Sequence, residues 1–204
     1  MKNKTDRSDF QQPVAIIGMG CFFPKSAGLK PFWQLLFQGL DAIGEVPDTH
    51  WSIRDYFDED IKKPDHVYCK RGGFLPAIDF DPMEFGIPPS SLQATDTSQL
   101  LGLLCARMAL EDAGYGKERE FDRERTSVVL GVTGTQELVI PLSSRLGHPI
   151  WRKALDGCGL ARETIDSIVE KISNAYVPWQ ENSFPGLLGN VVAGRISNRL
   201  NLKG

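Results

Sequence analysis

The chain has 204 residues, enough for one domain with a sizeable core or for half of a larger one. Its 23 basic and 26 acidic residues leave a formal net charge of −3, which excludes a broad nucleic-acid-binding footprint. Apolar content of 41% and charge of 24% fit an ordinary globular protein, and no apolar run approaches the roughly 20 residues that span a bilayer.

Residues 1–12 are mostly polar and read as a short disordered lead-in, with no apolar segment that would direct secretion. The chain is expected to be cytoplasmic. Val14-Ala-Ile-Ile-Gly18 is a β-branched run ending in glycine, which predicts a buried strand. Helical apolar spacing after Pro31 predicts a helix over Phe32–Leu40. From 41 to 96 the sequence is rich in Pro, Gly, Asp and aromatic residues, predicting loops with short helical turns.

Asp96 is a good N-cap for a helix from Thr97 to Asp112 that Gly114 would terminate. Its leucines cover nearly every face, so it belongs inside a core. Ser127-Val-Val-Leu-Gly131 predicts a second strand. Glu163 to Ile172 carries Ile165, Ile168 and Ile172 at helical spacing. A last helix is expected from about Pro185 to Leu200, its glycines and alanines suited to close packing on another backbone. Strands alternating with helices make the class α/β.

Chemistry-bearing residues are sparse. Cys21, Cys69, Cys105 and Cys158 are scattered, without the paired spacing of a zinc site, and fit a reducing compartment. Cys105, among leucines, is expected to be a high-pKa, inert thiol. His50, His66 and His148 share no motif, and the acidic run Asp55 to Asp60 reads as a solvated loop. Gly18-Met-Gly20 follows a strand, as a dinucleotide site would, but Phe23 stands where that fingerprint needs a third glycine. A structural turn and a nicotinamide-binding oxidoreductase are the two readings of that glycine pair. The loop Thr133-Gly-Thr-Gln136 stands at a strand's carboxyl end, where α/β folds build ligand crevices; a plain turn is the alternative.

The order of these segments resembles the N-terminal half of the β-ketoacyl synthases of fatty-acid and polyketide assembly. Val14 to Pro24 resembles the family's opening strand and turn, and Phe32-Trp-Gln-Leu-Leu36 its first helix. Asp79-Phe-Asp-Pro-Met-Glu-Phe-Gly-Ile-Pro-Pro89 resembles the "FDxxFFGISPxE" segment, and Asp96 to Gly114 the long helix after it. Asn190 to Gly204 matches "NxxAGRxSxxxxLxG". Modular polyketide synthases have Pro-Gln-Gln-Arg where this chain has Thr97-Ser-Gln-Leu100. The stretches Tyr68 to Leu75 and Ser143 to Tyr176 look closer to the iterative synthases of polyunsaturated fatty acids.

The resemblance implies a thiolase-like α/β fold, N-terminal half only: an incomplete sheet with helices on both faces. Residues 13–204 would be the ketosynthase N-terminal domain, ending before the strand that carries the nucleophilic cysteine. The implied activity is decarboxylative Claisen condensation of acyl and malonyl thioesters on acyl carrier protein. No catalytic residue of the family falls on a position of this chain, so the isolated chain is expected to be inactive. Thr133, Gly134, Thr135 and Gln136 would lie near the acyl pocket. Val177, Pro178, Trp179 and Gln180 would approach the partner subunit's pocket across a homodimer. No cofactor or metal is expected on this chain; phosphopantetheine arrives on the acyl carrier protein. A non-catalytic dimerisation or scaffold module, or a pseudogene product, is the alternative.

Overall fold

An apolar helix has to be enclosed, and the rest of the chain is laid against one: α3, Thr97–Asp112. The structure is a computed structural model that describes residues 13–116, 119–134 and 137–203. The expected disordered lead-in, residues 1–12, lies outside them. Asp96 caps α3 as its sequence requires, its carboxylate accepting from the Ser98 N–H at 3.0 Å. Gly114, at φ 77°, takes the left-handed conformation that ends it.

The core forms where α3 meets α8 (Val191–Arg199) and the segment around residue 86. Leu103 and Leu104 pack with Phe85, Ile87, Val192 and Ile196, all buried. Gly102 lets the two helices approach: a Cβ there would stand 3.2 Å from Val192 Cγ1 and 3.3 Å from Ile196 Cδ1.

Around this pair the chain runs in short elements. β1 (Phe22–Phe23) pairs antiparallel with β2 (Ser26–Ala27), which leads into α1 (Leu29–Phe37). Phe23 stacks on Phe32 of α1 at 4.0 Å between ring centroids. β3 (Ile43–Glu45) pairs antiparallel with β4 (Arg71–Gly73), with α2 (Ile53–Tyr56) in the loop between them. Short 3-10 helices follow at Met83–Phe85 and Pro89–Ala94.

Beyond α3, three helices make a small unit: α4 (Val139–Arg145), α5 (His148–Gly157) and α6 (Arg162–Asn174). Leu142, Ile165 and Val169 are their buried residues. Arg145 donates to the carbonyls of Ser173 and Tyr176, and Trp151 stacks on Tyr176. α7 (Ser183–Leu187) then leads to α8.

Two expectations are corrected. The runs Val14–Gly18 and Ser127–Gly131 are extended but join no ladder among the described residues. A strand is defined by a hydrogen-bonded neighbour, which neither finds here. Instead of being buried, Val14, Ile16 and Val129 are 94%, 82% and 97% exposed. Sheet structure among the described residues is accordingly limited to two two-stranded ladders, in keeping with an incomplete sheet. Finally, the single helix expected over Pro185–Leu200 is two, because Leu188 turns extended at φ −86°, ψ 120°.

Candidate functional site

The N-terminal end of α3 carries two polar residues inside the core, Asp96 and Gln99, and they organise what lies near them. Asp96 is 3% exposed. Its Oδ1 accepts from both Ser98 groups, and its Oδ2 from the Leu138 N–H at 3.4 Å. Its own N–H donates to the Gly186 carbonyl at 2.9 Å. Asp96 therefore ties the segment after the 133–136 loop, and the turn before α8, to one helix end.

Gln99, one turn on, is fully buried. Its Nε2 donates to the carbonyls of Pro185 and Gly186 at 2.9 and 2.8 Å, with Leu188 O at 3.4 Å. Its Oε1 accepts from Arg195 Nε of α8 at 2.5 Å. Burial, and next the nearby Arg199 charge, pull the Arg195 guanidinium below its usual range. Gln99 also explains the helix break: the carbonyls that a continuous helix would use internally are taken by its amide. Gly186 is pressed against α3's approach so closely that a Cβ would stand 1.7 Å from the Ala94 oxygen.

Above this polar cluster lies a crevice of ≈ 290 Å³, walled by Leu92, Leu138, Pro141 and Val177, with Thr97 and Glu137 at its edge. Thr97 and Glu137 also border a larger groove of ≈ 930 Å³, floored by Leu100, Leu101 and Leu104 and roofed by residues 73–80. Glu137, which follows the 133–136 segment, and Val177, which opens the 177–180 segment, both line the smaller crevice.

Residue by residue the match is uneven. Thr133 and Gly134 are exposed, Gly134 at φ 72°; Thr135 and Gln136 lie outside the described residues. Val177 lines the crevice, Pro178 is exposed and Trp179 is 46% exposed. The Gln180 N–H donates to the buried Ser183 hydroxyl at 2.8 Å. Sequence reasoning passed over Gln99, Arg195 and Ser183. The signal available was a lone amide in an otherwise apolar helix, since a buried amide must find partners.

The remaining chemistry-bearing residues are dispersed. Gly18 and Gly20 lie flat on α3, where Cβ atoms would meet Ala109 O at 2.2 Å and Cys105 O at 2.6 Å. They serve helix packing, and the next helix begins only at Leu29, so no helix N-terminus faces the pair. Burial raises the Cys105 thiol above its ordinary pKa, against a lowering by the Phe22 N–H. His66 and His148 each contact a backbone carbonyl, while exposed His50 packs edge-on to Phe74. Among the described residues no His, Cys, Asp and Glu cluster with metal-ligand geometry forms. None of their helices is long and apolar enough to cross a membrane.

Comparison with known proteins places this arrangement. One component of the polyunsaturated fatty acid synthase of Thraustochytrium sp. is 36% identical over 191 residues, 94% of this chain but 7% of that protein. Polyketide synthase PksN of Bacillus subtilis is 35% identical over 125 residues, 61% of this chain and 2% of that protein. The chain therefore spans a small fraction of the relatives it matches. Among solved structures, the oxazolomycin ketosynthase domain OzmH KS7 of Streptomyces albus shares the fold. It has TM-score 0.65 and 24% identity over 93% of this chain and 27% of that one. The ketosynthase from module 6 of the bacillaene synthase of Bacillus subtilis has TM-score 0.59 and 26% identity, covering 93% of this chain and 25% of its own. The fold is the thiolase-like α/β fold of those ketosynthases, represented here by its N-terminal part. The sequence profile of the family described as "Beta-ketoacyl synthase, N-terminal domain" matches residues 11–204, and the chain belongs to that family.

Proposed function

We propose that these residues form the N-terminal part of a condensing enzyme that joins acyl and malonyl thioesters held on acyl carrier protein, in fatty-acid or polyketide assembly. The observation that carries the reading is the family match across residues 11–204. In this chemistry a cysteine thiolate displaces the carrier thiol from the acyl thioester. Malonyl then loses carbon dioxide, and the carbanion left behind attacks the acyl enzyme and expels the thiolate. The developing oxyanions need preorganised donors.

Among the described residues no cysteine is hydrogen-bonded to a histidine, and Cys105 is biased toward its neutral form. The nucleophilic cysteine and the donors for the oxyanions belong, in this proposal, to residues outside the 204. This chain contributes walls: Glu137 and Leu138, which follow the expected acyl-pocket residues Thr133–Gln136, on one side of the crevice, and Val177, the first residue of Val177–Gln180, on the other. A homodimer brings the second wall to the partner's pocket, phosphopantetheine enters on acyl carrier protein, and the assembly works in the cytoplasm. The similarity to a component of a polyunsaturated fatty acid synthase over 94% of the chain supports a long-chain lipid pathway.

The test has two arms. Incubated alone with acyl- and malonyl-acyl carrier protein, the chain should give no 3-ketoacyl product; product formation would move the catalytic groups onto these residues. Sequencing the transcript through and past codon 204 should show a frame continuing into a strand that ends in Ala-Cys. A stop codon there would instead require a separate polypeptide to supply the nucleophile.

A further inference from the structure

We infer that Gln99 is a positioning residue, which sets the pose of Val177–Gln180 through the backbone of Pro185–Leu188. The inference rests on the condensing-enzyme reading only for what Val177–Gln180 does.

A fully buried amide inside an apolar helix is costly unless its atoms are used. Here they are: two N–H groups face three carbonyls, and the oxygen takes the Arg195 Nε–H. A leucine would serve helix propensity and core packing better. The amide's distinct effect is to hold the carbonyls that end α7, which selects two helices over the single one that residues 185–200 favour by themselves.

From there the path to Val177–Gln180 is short and made of named bonds. Gly186 N–H donates to Asn182 O at 2.9 Å, and Asn182 Nδ2 to Ser91 Oγ at 2.8 Å. Ser183 N–H donates to Gln180 O at 3.0 Å, and Gln180 N–H returns to the Ser183 hydroxyl at 2.8 Å. Ser183 is fully buried, so this reciprocal pair has no competing water. Gly186, against the Ala94 oxygen, leaves the turn no room to drift toward α3. Gln99 fixes one end of this linkage and the wall segment hangs from the other.

Trp179, half exposed beside Gln180, reports the pose directly. In the full 204-residue chain labelled with 5-fluorotryptophan, its signal is assigned by loss in Trp179→Phe. Gln99→Met, similar in length but without donors or acceptor, should shift or split that signal. It should also speed amide exchange over 180–188 by roughly tenfold, leaving the Trp151 signal and α6 as in the wild type. Arg195→Lys, which keeps a cationic donor, should stay near the wild type, and Arg195→Met should follow Gln99→Met. An unmoved Trp179 signal with unchanged exchange overturns the proposal. So does protection lost evenly across α3, α6 and α8, which would make Gln99 mere core. Should Gln99→Met fail to fold, the Arg195 pair decides: a Trp179 signal that does not distinguish Lys from Met overturns it. No acyl substrate enters this measurement, so its failure and a failure to condense are told apart.

Discussion

Gly18 faces the carbonyl of Ala109 so closely that a Cβ would stand 2.2 Å from the oxygen, with Ala113 Cβ at 2.7 Å. The opposing atoms are helix backbone, which cannot swing aside as a long side chain does. Gly18→Ala and Gly20→Ala should each destabilise the chain by about 1–3 kcal/mol, the usual cost of overpacking. Gly131→Ala, where a Cβ would meet nothing within 4 Å, should stay within about 0.5 kcal/mol of the wild type. Urea midpoints of the three variants check this, and equal midpoints would refute the close packing.

Asp96 does two jobs with one carboxylate: it caps α3 and receives the Leu138 N–H. Asp96→Ala should cost about 1–2 kcal/mol, toward the upper end of cap deletions because the site is buried. Asp96→Asn keeps an oxygen acceptor and should cost less. Thermal melts rank the pair, and proteolysis near residues 133–138 should quicken in Asp96→Ala alone.

Cys105 should be the slow thiol. Burial raises its pKa above the ordinary 9.0, whereas Cys69 and Cys158 are exposed. At pH 8, iodoacetamide should label Cys69 and Cys158 roughly tenfold faster, since only thiolate reacts. The sign for stability follows from the direction of the shift. The folded state favours the neutral thiol, so this contribution is fully present below pH 9.0 and fades as pH rises beyond it. Peptide mapping of alkylation against pH decides the matter; Cys105 labelling first would contradict it.

How much of this could be read from the sequence depended on how local its cause was. α3 was legible to the residue, because its cap, its leucines and its stop glycine all lie within its own stretch. α6 was legible in the same way, with Val169 joining Ile165 in the buried stripe. The runs at 14–18 and 127–131 have strand chemistry, but a ladder is a property of two segments and no partner lies among the described residues. The break between α7 and α8 is imposed by Gln99, a residue 86 positions before Pro185, so no local pattern announces it. For the site, family resemblance pointed to Thr133–Gln136 and Val177–Gln180 as expectations. That Glu137 and Val177 border one crevice beside the start of α3 needed the fold.

The two glycines on α3 have a last consequence, which concerns register. Gly18 and Gly20 are two residues apart, so in an extended chain both point at the same face, and only that face lies flat on the helix. Sliding the segment by one residue would drive Met19 into the Ala109 backbone. A slip of two toward Val14 would do the same with Ile16. The pair therefore works as a vernier: whatever strand comes to lie beside residues 14–20 inherits an alignment already set by the helix beneath.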